Sequence, residues 1–135
     1  MAKMNLMAKL MEHDRAEATR MKRKTIPSTK MSELIGEPAE IEIRALTPRE
    51  IGDINEFATD ADGNMTSIGA IESNFYACSK AIENPDLKDK DLQSHYGARN
   101  AQELCEILFG MEAAKITEEV MELSGIDIDE NDIKN

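Results

Sequence analysis

The run from Ile71 to Ile126 constrains this chain most, because stretches of helical periodicity there are cut at Asn84-Pro85, Gly97, Gly110 and Gly125. Proline removes a backbone donor, and glycine accepts the left-handed turn that ends a helix, so each of these positions marks a stop. Helices this short are marginal alone in water and must each bury one face against a neighbour. Physics therefore leads to a small helical interaction module.

The helices can be placed one by one. Thr47-Pro48-Arg49-Glu50 is the best local signal: Thr47 can cap, Pro48 takes the first helical position, and Glu50 closes a capping box. The helix that follows should turn Ile51, Ile54, Phe57 and Ala58 inward, and end at Asp60-Ala-Asp-Gly63. The strongest periodicity comes next, over about 66–82, where Ile68, Ile71, Phe75, Cys78 and Ile82 recur at spacings of three and four. A short helix over about 89–95 ends at Gly97. Asn100 then caps another, with Glu103 three residues on and Leu104, Ile107 and Leu108 inward. The last runs over about 111–124 with Ile116, Val120 and Leu123, and Ile126 is placed for a Schellman-type contact after Gly125.

Only A-E-I-E-I-R-A-L alternates with period two, which predicts a strand over about 39–45. A lone strand cannot satisfy its edges, so it needs a hairpin partner. M-S-E-L-I at 31–35 is the nearest candidate, joined through Gly36-Glu37-Pro38. The expected fold is mainly α (α+β): about five short helices in a small bundle, one small β-hairpin near residues 31–45, and an N-terminal helical arm. Residues 1–30 form the arm, 31–126 the globular helical domain and 127–135 an acidic mobile tail.

Length and charge bound the function. At 135 residues the chain fits one domain. Aromatic residues make up 4% and Trp is absent, so Ile, Leu, Met and Ala must build the core. Residues 1–30 hold eight Lys/Arg against three Asp/Glu, while residues 31–135 hold eight against twenty-four. The acidic body repels nucleic acid and anionic membranes. The basic arm, with no aromatic interleaved, reads better as solvated or paired with the acidic body, in cis or across a dimer, than as a nucleic-acid contact.

The arm itself has helix-forming composition over 4–24, and Leu6, Met7, Leu10 and Met11 fall on one face. Five of the nine Met lie in its first twenty-one residues, and thioether side chains suit adaptable contact surfaces. Beyond Met11 the sequence is a charged run, so the segment reads either as a frayed arm or as a helix that docks on something. Leu6, Met7, Leu10 and Met11 are the candidate partner-binding residues; the same four side chains would also suit a dimer seam or a face packed on the body. The start of the chain has neither a signal-peptide apolar core nor a membrane span, and the expectation is a soluble intracellular protein.

No catalytic, cofactor or metal site assembles from the sequence, and an enzyme is not expected. Asp60-x-Asp62-x-Asn64 begins like a calcium loop, but Met65 stands where the sharp-turn glycine belongs and Ile71 where the bidentate acid belongs. A helix-terminating turn uses the same residues. His13 and His95 lack a spaced His or Cys partner for zinc, and His95 suits the last turn of its helix. Cys78 and Cys105 lie far apart at apolar helical positions and read as reduced core residues.

The helix ending A-I-E-N-P-D-L, the segment D-L-Q-S-H-Y-G, then A-Q-E-L-C-E-I-L-F-G-M-E and I-T-E-E-V-M-E-L-S-G resemble the XkdN-like phage tail assembly chaperones of PBSX-like prophages and long-tailed phages. I-E-I-R-A-L-T-P-R-E-I-G-D-I looks like that family's strand-then-helix entry. No single residue is diagnostic; the order and spacing of the set carry the resemblance. The basic segment over 1–30 departs from the family pattern by its length. The resemblance implies a protein that binds the tape measure protein in the host cytoplasm and keeps it soluble while tail tube subunits assemble. It further implies recruitment of the tail tube protein through a frameshifted longer product, and absence from the mature virion. No cofactor is implied, and a homo-oligomer is compatible. The alternatives are a structural tail or virion component, or a small regulatory factor whose basic arm contacts nucleic acid.

Overall fold

The structure is a computed structural model that describes residues 2–125, with side chains from residue 5 onward. It is mixed α+β and mainly helical. In chain order the elements are α1 (Ala2–Leu10), α2 (Arg15–Ala18), β1 (Arg23–Pro27), α3 (Thr29–Ile35), β2 (Glu40–Arg44) and α4 (Pro48–Ala58). Then follow α5 (Ser67–Ala81), β3 (Ile82–Asn84), α6 (Lys90–His95), α7 (Ala101–Phe109) and α8 (Glu112–Leu123). The acidic tail expected over 127–135 and the contact expected from Ile126 lie outside the described residues.

The three strands form one antiparallel sheet in the order β1-β2-β3. Ile26 pairs with Ile41 and Ile43 with Ile82, so the alternation read in the sequence points Ile41 and Ile43 to the core. Around them pack Ala77, Cys78 and Ala81 of α5, Leu104 and Phe109 of α7, and Ile116 and Val120 of α8. Each buried Ile, Leu, Val or Phe of this core contributes about 1.5–3 kcal/mol of transfer free energy.

The hairpin partner is corrected. Residues 31–35 are helical within α3, and β2 pairs instead with residues 23–27, which the sequence pattern had assigned to the helical arm. Two local causes are clear. Ser28 caps α3, accepting from the Met31 N–H at 3.2 Å, and Gly36 at φ 79° ends it. Only Met31 of M-S-E-L-I is buried, so the segment presents no strand face to the core. Upstream, Asp14 and Glu17 make a reciprocal capping box that restarts a helix at Arg15, so the predicted helix over 4–24 is broken into α1, α2 and β1. Pro27, which has no N–H to donate, then ends an edge strand where its loss costs least.

The helices of the body stand close to where their caps placed them. Thr47 Oγ1 accepts from Glu50 N–H at 3.1 Å, and Glu50 Oε1 accepts from Thr47 N–H at 3.0 Å. Arg44 adds two hydrogen bonds to the same carboxylate, both 2.9 Å, which lowers the pKa of Glu50 to about 2. The Asn100 side chain accepts from Glu103 N–H at 2.9 Å, while the Glu103 carboxylate turns back to Arg99. One short strand escaped the pattern: Ile82–Asn84 leaves the end of α5 to pair with β2.

Candidate functional site

The apolar residues that fail to reach the core are the informative ones. Leu6, Met7, Leu10 and Met11 are 59%, 70%, 60% and 85% exposed. The Met11 N–H still donates to the Met7 carbonyl at 3.1 Å, so the four side chains share one face of α1 and its last turn. An amphipathic helix with its apolar face open is suited to recognise another apolar surface. The structure thus brings the four predicted residues together, on a helix followed at once by the capping box of Asp14 and Glu17.

A second open surface lies where α4 meets α5. The two helices abut closely: the Thr66 N–H donates to the Ala58 carbonyl at 3.2 Å, and Thr59 bridges Met65. Phe57 and Tyr76 stack with ring centroids 5.0 Å apart, and Lys80 lies over the Tyr76 ring. Phe57, expected to face inward, is instead 42% exposed; Ile68 and Ile71 of the periodic stripe are 73% and 49% exposed, and Met65 joins them at 69%. At the start of α5 it is Gly69 that stands against Ala58 of α4, and Ile68 and Ile71 stay open, while Phe75 and Cys78 further along the stripe are buried.

A third apolar site lies between α3 and α7. Leu34 and Ile107 line a shallow cleft of about 250 Å³ with Lys30, Glu33 and Leu108. Ile107 was also expected to face inward and is 44% exposed, because α3 covers only part of that side of α7. Another groove, of about 410 Å³, runs between residues 18–22, residues 45–48 and the end of α8.

The polar residues are occupied structurally. Asp60 Oδ1 accepts from the N–H groups of Asp62 and Asn64, both at 2.9 Å, which makes the segment a turn. His13 pairs with Glu17 at 2.9 Å, and His95 packs edge-to-face on Tyr96. Cys78 and Cys105 are free thiols within the core; hydrogen bonding to Cys78 and burial push the Cys105 thiol far above its ordinary value. A buried thiol held protonated in this way, as that of Cys105 is, is a poor nucleophile. Among the described residues, no group of three or more His, Cys, Asp or Glu is placed to hold a metal ion. No described helix is long and apolar enough to cross a membrane. The basic segment meets the acidic body at Lys24, whose ammonium lies 2.9 Å from Glu119, and at Arg23, which pairs with Glu83.

The family model for the phage XkdN-like tail assembly chaperone protein, TAC, matches residues 7–135. A crystal structure of the protein yqbn is similar in fold, with a TM-score of 0.59 at 16% sequence identity. The similarity covers 85% of this chain and 98% of that one. No curated protein sequence is matched.

Proposed function

Because the chain belongs to the family of phage XkdN-like tail assembly chaperones, we propose that its client is the tape measure protein, which it binds in the host cytoplasm and keeps soluble during tail assembly. The family match over nearly the whole chain carries this reading. The open apolar helix faces support it, because a long client that exposes amphipathic segments before the tube encloses it needs such surfaces to cover them. Leu6, Met7, Leu10 and Met11 are the client contacts in this proposal. The net charge of −11 keeps the complex dispersed. The action is binding and release, without catalysis.

Delivery of the client to the growing tube requires contact with the tail tube protein, which the proposal assigns to a longer, frameshifted product of the same gene. The protein then leaves and is absent from the finished virion. The test is co-purification of the tape measure protein from co-expressing cells, together with analysis of purified particles. Capture of the client and absence from particles supports the chaperone. A fixed number of copies per particle would instead make it a structural tail component.

A further inference from the structure

We propose that this protein self-associates by helix exchange, α1 of one copy lying on the α4–α5 edge of a second copy. Two open apolar surfaces in one chain motivate the pairing. The first is the face of Leu6, Met7, Leu10 and Met11; the second is formed by Phe57, Met65, Ile68 and Ile71. In a single copy both lie exposed at once.

Charge selects this pairing over the other apolar cleft. Between Arg49 and Lys80 the chain has no Lys, Arg or His, and Asp53, Glu56, Asp60, Asp62 and Glu72 all stand exposed along the α4–α5 edge. The first eleven residues have the opposite character, with Lys3 and Lys9 and no acid. A basic amphipathic helix laid on an acid-rimmed apolar strip satisfies both surfaces. The α3–α7 cleft offers less, because Lys30 offsets Glu33 in its lining, whereas five acids against Lys80 flank the α4–α5 edge.

The exchange is proposed in its closed form. If α1 of one copy reaches the partner's edge, the partner's α1 reaches back, and two equivalent contacts form about a two-fold axis. Each contact alone is small for a stable complex, and the two together act cooperatively. The face that is covered is the one assigned above to the client. Resting on that assignment, self-association would shield α1 until the tape measure protein competes for it.

The experiment is sedimentation equilibrium on the full chain over a range of concentrations, at low and high salt. Three samples are compared with the unaltered protein: Leu6→Glu with Leu10→Glu, Ile68→Glu with Ile71→Glu, and an equal mixture of the two. All four positions are exposed, and circular dichroism verifies that the variants fold. The expected result is a dimer whose affinity falls with salt, loss of the dimer in each variant alone, and partial association in the mixture, weaker than in the unaltered chain but stronger than in either variant, because one intact α1 meets one intact edge. A monomer at every concentration overturns the proposal. So does either variant remaining as dimeric as the unaltered chain, or a mixture that associates no more than its components. None of these readings involves the client, so failure here leaves the chaperone assignment standing.

Discussion

The Ser28 hydroxyl donates to Glu112 Oε1 at 2.5 Å, joining the cap of α3 to the first residue of α8 across 84 positions of sequence. The other carboxylate oxygen accepts from the N–H groups of Thr29 and Lys30 at 2.9 and 3.3 Å. One acid from a distant helix thus satisfies the open N-terminus of α3, where negative charge is also favoured by the helix dipole. Replacing Glu112 with Ala should lower stability by about 1–3 kcal/mol, because it leaves the buried Ser28 hydroxyl and two backbone donors to find other partners. Urea unfolding of the two proteins measures it, and Glu112→Gln should recover part of the loss.

Glu50 gives a pH-dependent prediction. Its carboxylate is held near pKa 2 against an ordinary 4.5, first by the hydrogen bonds from Arg44. A folded value below the unfolded one means stability that is present above the unfolded value and lost as pH falls through the folded value. The stability difference between this protein and Glu50→Gln should therefore be level near neutrality and close as pH falls from about 4.5 toward 2. The pair is partly solvated, so its size should be about 1–2 kcal/mol. Thermal unfolding at stepped pH reads it directly.

Two glycines should respond oppositely to alanine. A Cβ at Gly69 would stand 2.5 Å from the Ala58 carbonyl oxygen, where α4 and α5 cross, so Gly69→Ala must push the helices apart. The expected loss is about 1–3 kcal/mol. Gly52 lies within α4 with nothing within 4 Å of its added Cβ, and Gly52→Ala should gain about 0.5–1 kcal/mol of helix propensity. Denaturant midpoints of the two variants, measured side by side, check both signs.

The open face of α1 predicts a separation of binding from folding. Leu6→Glu with Leu10→Glu alters side chains 59% and 60% exposed, so the stability of the monomeric fold, measured at low protein concentration, should stay within about 0.5 kcal/mol. Capture of the tape measure protein should be lost or strongly reduced. Pull-down and unfolding curves on the same preparation report the two effects together, and unchanged capture would remove α1 from the client surface.

What the sequence revealed depended on whether its signals were local. The Thr47–Glu50 capping box placed α4, and the period-two run around Ile41 and Ile43 placed the central strand with its core face. The partner of that strand was not legible. Thr25-Ile26 is a short β-branched pair next to a charged run, and its strand exists because β2 offers a ladder. The local caps of α3, Ser28 and Gly36, were present but were read as breaks between strands, and the Glu112 carboxylate that reinforces the Ser28 cap comes from 84 positions away. The Asp14-x-x-Glu17 box was a local signal, hidden by the reading of the charged run as one solvated stretch.

The candidate surface was legible at one end only. Leu6, Met7, Leu10 and Met11 form a face by spacing alone. Periodicity also put Phe57 on an inward face and aligned Ile68 with Ile71, yet it describes how side chains align and not which of them a neighbour covers. Which face of α4 and α5 meets a neighbour is a tertiary fact, and it left Phe57, Ile68 and Ile71 exposed.

The most direct test of the central claim is the solubility of the tape measure protein when expressed with and without this chain. The account predicts that the tape measure protein pellets alone, stays in the supernatant with the unaltered chain, and pellets again when Leu6 and Leu10 are both replaced by Glu. A tape measure protein that aggregates equally in all three would contradict the account.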